Sequence, residues 1–371
     1  MLRFKYNAIK NLVNIVGWRT NKKIIVFESD DWGSIRMPSL KAFKKLKFAG
    51  LDLKGTDAER YNKNDNLATK TDLENLFEIL LKYKDTNGNH PVITAVTIVA
   101  NPDFRRIKES DFQEYYYEPF TETLKKFPGC EQSFEFWRKG MENHIFIPQM
   151  HGREHLNVTA WMKALREGDK HTLLAFEEGV TGFVPSMYPK VYYQAAFLPG
   201  EPHETDLHKQ IIIEGLTLFE QLFGYKAKYF VPPNGPFNNT LNSVLVENGI
   251  TCRSSAKIQN EPLGNGKYRK VIHWLGQRDK SGLKYITRNC FFEPNTPRKD
   301  WVDSCKNDIK ISFNWSKPAI ISSHRVNYIG SLNPPNRDNG LKQLDNLLKK
   351  IIKTWPDVKF ITTTELYKLM T

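Results

Sequence analysis

Residues 24–33 read Ile24-Ile25-Val26-Phe27-Glu28-Ser29-Asp30-Asp31-Trp32-Gly33. A short apolar run of this kind predicts a buried strand. Two adjacent carboxylates follow at its C-terminal end. The pattern recurs down the chain. Val92 to Val99 is β-branched almost throughout and stops at Asn101-Pro102. Ile145-Phe-Ile147 is the next strand, with His151-Gly-Arg-Glu-His155 just past it. Ala227 to Val231 runs into Pro232-Pro233-Asn234-Gly235-Pro236. Ile250–Arg253, Val271–Trp274 and Tyr285–Phe292 are short strand candidates. Pro318 to Ser323 delivers His324, and Val358–Thr362 is the last strand.

Helical patterns fall between these strands. Pro38 opens one that carries Leu40, Phe43 and Leu46. Thr71-Asp-Leu-Glu74 resembles a capping box for a helix to Tyr83. Further helices are expected over 133–143, 159–166, 205–223, 240–248, 301–315 and 341–353. Residues 50–68 and 103–130 read as irregular. Strand and helix alternate without a linker rich in Gly, Ser or Pro, which predicts an α/β fold with a parallel sheet. About seven or eight such units favour a barrel over an open sheet. The expectation is a single catalytic domain over 1–371. Its barrel spans 24–365, preceded by an amphipathic helix over 1–20 with Leu2, Ile9, Leu12, Val13 and Val16 at helical spacing. That helix is expected to pack on the domain, with peripheral membrane contact as the alternative.

The chain has 371 residues and 54 Lys and Arg against 41 Asp and Glu, a formal charge of +13. A diffuse basic balance suits an anionic partner. No nucleic-acid-binding motif is present, so no nucleic acid is expected. Cys130, Cys252, Cys290 and Cys305 form no C-x-x-C pair and are expected as buried free thiols. No apolar run reaches the roughly 18 residues needed to span a bilayer. No secretory signal is evident, so a cytoplasmic location is expected, with the inner face of a membrane as the site of any peripheral contact.

The chemistry-bearing residues share one phase. Asp30-Asp31, His151 with His155, Pro232 to Gly235 and His324 each follow a predicted strand. In a parallel barrel all strand C-termini open on one face, where active sites are built. Two histidines four residues apart can project from one face, and imidazole is a good ligand for a borderline-soft dication. A carboxylate would complete three protein ligands and leave a position open, the arrangement of a catalytic zinc centre.

This order of motifs resembles the polysaccharide deacetylases, carbohydrate esterase family 4. The family's T-F-D-D-G is here Ser29-Asp30-Asp31-Trp32-Gly33, and its H-x-x-x-H is His151 and His155. Its R-P-P-Y-G is Val231-Pro232-Pro233-Asn234-Gly235, and its late histidine is His324. The resemblance implies a distorted (β/α) barrel of about seven strands and a divalent metal, most often zinc, on Asp31, His151 and His155. It implies Asp30 as general base and His324 as general acid. It implies removal of an acetyl or other acyl group from an amino sugar or acetylated sugar of a glycan or cell-envelope glycan precursor. The lack of an export signal and the basic balance suit an anionic or lipid- or nucleotide-linked carbohydrate. The family's third-motif arginine is replaced by Val231. Arg288 and Arg325, on other strands, are the candidates to stand in for it. Trp32, Pro233, Asn234, Gly235 and Asp300, half of the family's fourth motif, are candidate substrate contacts or supports for the ligands.

Two other functions compete. A glycoside hydrolase on a similar barrel would use two carboxylates. Against it, neighbours on an extended strand point apart, and paired glycosidase carboxylates usually come from different strands. A non-catalytic glycan-binding descendant would explain the missing arginine and the half motif.

Overall fold

The computed structural model describes residues 8–53, 58–185 and 192–370. Among them, nine parallel strands form one sheet. They are β1 (Ile24–Trp32), β2 (Ile93–Ile98), β3 (Phe146–Gly152), β4 (Tyr229–Phe230), β5 (Cys252–Ser254), β6 (Lys284–Ile286), β7 (Cys290–Phe291), β8 (Ala319–His324) and β9 (Lys359–Phe360). Hydrogen bonds connect them in the order β6-β5-β4-β3-β2-β1-β8-β7, with β9 beside β1. All nine residues of β1 are buried, as expected where helices cover one face of a parallel sheet and a second core fills the other.

The two ends of that path are neighbours in the chain. Ile286 of β6 is in register with Ser254 of β5, and Cys290 of β7 with Ile321 of β8. Residues 287–289 join them. One extended segment therefore pairs first with β5 and then with β8, so main chain bridges the seam of a seven-staved barrel. Side chains confirm the curl. A flat sheet would hold Glu28 on β1 and Tyr229 on β4 about 14 Å apart, at ~4.8 Å per strand. Tyr229 Oη instead donates to Glu28 Oε2 at 2.8 Å. The expected distorted barrel is the fold observed, and the partner change at 287–289 is its distortion.

Alternation divides each strand between two cores. Ile24 and Val26 join Val96, Tyr229, Ile286 and Ile320 inside the barrel, where Leu366 and Met370 from the C-terminal helix also pack. Ile25 and Phe27 face an outer core built with helices Lys70–Leu81, Ser133–Glu142 and Pro334–Thr354. All four cysteines are buried free thiols.

Several elements differ from expectation. The capping box belongs to Thr69 and Asp72, which exchange hydrogen bonds of 2.9 and 3.1 Å two residues before the Thr71 site. Residues 50–68, expected as a loop, contain helix Ala58–Asn64, and residues 54–57 lie outside the described ones. Residues 103–130 hold two short helices, Phe104–Glu109 and Phe120–Leu124. Val271–Trp274 is no barrel strand. It belongs to an antiparallel hairpin, Ile258–Gly264 with Lys267–Ile272.

The helix expected over 1–20 is also shorter. Residues 1–7 lie outside the described ones, helix covers 8–12, and turns follow to Gly17, whose φ of 104° no helix accommodates. Polar side chains anchor this segment. Lys10 Nζ meets Asp308 Oδ2 and Asn289 O, each at 3.0 Å, and Asn289 Nδ2 donates to Asn14 Oδ1 at 3.2 Å. The segment thus covers the barrel seam with its polar side inward.

Candidate metal and acid–base centre

Strand alternation holds along β1 up to Asp30. Glu28 and Asp30 point into the barrel, where Arg288 reaches both: Nε donates to Glu28 Oε2 at 2.6 Å. Its two terminal nitrogens donate to Asp30 Oδ1 and Oδ2, again at 2.6 Å each. Alternation would send Asp31 outward. Instead the register with β2 shifts between Ser29 and Trp32, and Asp31 takes φ 74°. Left-handed backbone costs an L-residue roughly 1–2 kcal/mol. In return both carboxylates of an adjacent pair enter one cleft, contrary to the expectation that they point apart. Trp32 takes the outward place. Expected as a substrate contact or a support for the ligands, it lies 1% exposed in the outer core, edge-on to Trp137 and Phe146, with Nε1 donating to Ser29 Oγ at 3.0 Å.

Asp31 meets the two histidines carried at the end of β3 and in the loop after it. Its Oδ1 lies 3.3 Å from Nε2 of both His151 and His155. One ligand atom from each of the three residues falls within 4.8 Å of the others. Two ligand atoms at ~2.0–2.1 Å from a tetrahedral zinc stand about 3.4 Å apart, so the observed separations fit such an ion. His151 Nδ1 lies 2.7 Å from the Val231 carbonyl, which can only accept. That fixes a proton on Nδ1 and leaves Nε2, which faces Asp31, as the ring's ligand atom. His155 Nδ1 is buried without a partner. Burial, outweighing the nearby Asp31, lowers the His155 pKa and favours the neutral, ligating ring. Burial would raise Asp31, but hydrogen bonds from His151 and His155 hold its carboxyl well below the usual range. The donor set fits a divalent metal.

His324 closes β8 opposite Asp30, its register partner. Its Nε2 stands 3.9 Å from Asp30 Oδ2, and Nδ1 lies 2.6 Å from Glu293 Oε1. Arg60 and Asn327 donate to the other Glu293 oxygen at 2.8 and 2.9 Å. Burial pulls the His324 pKa down, yet the Glu293 charge and hydrogen bond push it up to about 9. Burial likewise opposes ionisation of Asp30, but the Arg288 fork prevails and its pKa is lowered. The centre therefore pairs an ionised carboxylate with a protonated imidazole near neutral pH.

Glu293 has no counterpart among the sequence candidates. The signal was there: Cys290-Phe-Phe-Glu293 places an acid just past a strand, in phase with the others. Arg36, from the loop after β1, and Tyr61, from helix Ala58–Asn64, also line the cleft of about 870 Å³ that contains Asp30, Asp31, His151, His155, Arg288 and His324. Asn234 and Gly235 line it too, in a left-handed turn closed by Gly235 N–H to Pro232 O at 3.1 Å, while Pro233 packs against Gly152. Arg325 does not reach Asp30. Fully buried, it forks to Asp65 at 3.0 Å and donates to Ser34 O at 2.8 Å, holding the turn after Asp31. Asp300 caps helix Trp301–Asn314 through Asp303 N–H and does not line the cleft. Among the described residues, no helix is long and apolar enough to cross a membrane.

No protein-family model matches the chain, and no curated protein does. Solved structures resemble it. A protein assigned as a polysaccharide deacetylase from Mycobacterium smegmatis is 12% identical, over 96% of this chain and 92% of that one, with a TM-score of 0.49. A 4-alpha-glucanotransferase from Thermococcus litoralis is 10% identical, over 94% of this chain and 40% of its own, with a TM-score of 0.45. A protein assigned as a polysaccharide deacetylase from Pseudomonas aeruginosa PAO1 is 10% identical, over 94% and 91%, with a TM-score of 0.45.

Proposed function

We propose that the protein is a metal-dependent hydrolase that removes an acetyl or other acyl group from an amino sugar or O-acetylated sugar of a glycan or glycan precursor. One observation carries this reading: an Arg-held carboxylate and a Glu-held imidazole stand on paired strand ends beside an Asp-His-His cluster.

Asp31, His151 and His155 would hold the ion, with zinc the metal their ligand types favour. A divalent ion bound there supplies Lewis-acid pull on an acyl oxygen and acidifies a water. Asp30, kept ionised by Arg288, takes the proton of the attacking water as it adds to the acyl carbon. His324 gives its proton to the departing nitrogen or oxygen, and Glu293 stabilises the charged ring that makes this donation. The turn at Asn234 and Gly235, together with Arg36 and Tyr61, forms the walls against which a sugar would lie. The Gly235 N–H is already taken by Pro232 O, which leaves the oxyanion to other donors.

The competing glycosidase reading needs one carboxylic acid kept protonated in the cleft. Asp30 and Asp31 are the cleft-lining acids, and both are shifted toward the ionised form. A non-catalytic descendant is disfavoured because Arg288 supplies from another strand the guanidinium that Val231 lacks.

The test is bound metal by elemental analysis with acetate release from N- and O-acetylated sugars. Zinc at one equivalent and acetate release lost in Asp30→Asn support the proposal. A protein that stays metal-free after zinc addition, or that releases reducing sugar without metal, overturns it.

A further inference from the structure

The N-terminal segment turns its polar side to the barrel and its apolar side to solvent. Ile9, Leu12, Ile15 and Val16 are 40–65% exposed. They do not stand alone. Lys257 Nζ donates to the Val13 carbonyl, and Trp18 N–H donates to Leu275 O at 2.8 Å. A Cβ on Gly17 would sit 3.4 Å from Trp274 Cβ. These contacts join the segment to the base of the hairpin, whose exposed side carries Ile258, Tyr268, Ile272 and, just beyond, Trp274. Ile258 and Ile272 are cross-strand partners. Ile258 and Tyr268 also line the cleft. An apolar tract therefore runs from the N-terminal segment to the rim of the cleft.

Charge is concentrated on the same two segments. Residues 8–23 and 255–284 hold eleven Lys and Arg against two acids, which is nine of the chain's thirteen net positive charges. Glu261 is fully buried on Arg269, and Asp279 is partly buried in its own turn, its carboxylate accepting from Asn242 and Ser281. Arg19, Lys22, Lys267, Arg269, Lys270, Arg278 and Lys280 are exposed. Apolar side chains flanked by basic ones match an anionic lipid surface: the side chains enter the interface and the cations meet headgroup phosphates. Asp357, paired with Lys23, and Glu201, beside the hairpin's Gly264, are exposed acids next to these segments. A water-soluble polyanion would use the charges and leave the apolar tract in water.

We infer that this face docks the protein on an anionic bilayer, with the hairpin bringing the rim of the cleft to the membrane. The docking stands independently of the hydrolase chemistry. The experiment is co-sedimentation of the full chain with phosphatidylcholine vesicles and with mixed phosphatidylcholine–phosphatidylglycerol vesicles. Variants are Leu12→Asp with Val16→Asp, Ile258→Asp with Ile272→Asp, and Lys267→Glu with Lys270→Glu. Circular dichroism melts establish that each still folds, and the exposed positions make that the expected result. Binding is expected to the mixed vesicles alone, and each variant is expected to weaken it by about tenfold or more. Absence of binding to both vesicles overturns the inference. So does binding that the apolar substitutions leave unchanged, which would mark a polyanion site. A wild-type dimer that Leu12→Asp with Val16→Asp renders monomeric would assign the face to a second copy and overturn it as well.

Discussion

Arg288 grips Asp30 through two parallel N–H···O bonds of 2.6 Å, from a position where the chain is changing from one strand partner to another. At a regular strand position it would be held by a ladder on both sides. At the seam its guanidinium lies across the barrel interior and also serves Glu28. Replacement by Lys keeps the charge and loses the fork. Arg288→Lys is expected to lower kcat by about 100-fold, the low end for a misplaced general base, with zinc content unchanged. Arg288→Ala leaves two buried carboxylates without their cation and is expected to cost about 3–5 kcal/mol in urea denaturation. An Arg288→Lys enzyme with full kcat would show that orientation of Asp30 is immaterial.

Metal removal should be visible without any substrate. Asp31, His151 and His155 come from distant parts of the chain, and an ion joining them binds the folded state far better than the unfolded one. Zinc at 100 times its dissociation constant is expected to add about 2.7 kcal/mol to unfolding. Thermal melts of chelator-treated protein should rise on zinc addition, while melts of His151→Ala and Asp31→Asn should not. Equal rises in all three proteins would place the ion elsewhere.

The pH profile should report His324. Its pKa in the folded protein is raised to about 9, so the ring remains a proton donor through neutral pH. Log kcat/KM is therefore expected to fall with slope one near pH 9. Glu293→Gln removes the charge that holds the proton and should move that limb downward. The same shift affects stability. A raised pKa stabilises the fold fully below the unfolded value of about 6.5, and that contribution disappears as pH rises through 9. The stability difference between wild type and Glu293→Gln should accordingly be largest in mild acid and shrink in alkali. A falling limb common to both proteins would detach Glu293 from the acid.

Much of this centre is legible in the sequence because strand ends are legible. Apolar runs announce β1, β2, β3 and β8, and their last residues must share a barrel face. Asp30, His151 and His324 follow from that phase alone, and so does the place of Asp31 at a strand end. What is hidden depends on departures from it. The inward turn of Asp31 needs a bulge, and no pattern of apolar residues encodes a positive φ at an aspartate. Trp32 lies away from the cleft for the same reason, since one inserted residue reverses its side. Arg288 and Glu293 belong to a segment that reads as one strand and acts as two. The N-terminal segment has helical spacing, but its buried contacts are made by Lys10 and Asn14, so the apolar periodicity points outward.

Gly33 tests how far the centre depends on the backbone that follows it. Its φ is 85°, and a Cβ there would lie 2.2 Å from the Ile98 carbonyl oxygen of β2. Main chain is what it would strike, so no rotamer change can relieve the overlap. The Gly33 carbonyl also accepts from Asn101 Nδ2 at 3.0 Å, tying the turn after Asp31 to the end of β2. Gly33→Ala must push β1 away from β2 at the point where Asp31 is held against His151 and His155. The expected loss is about 3 kcal/mol or more in chemical denaturation, from backbone strain and steric overlap together. Zinc affinity should fall in the same variant, measured by competition with a chromogenic chelator, because the carboxylate moves with its turn. Retained stability with weakened zinc binding would mean the turn gives way locally; retained zinc binding in a destabilised protein would mean the ligand cluster is held by β3 and not by the bulge.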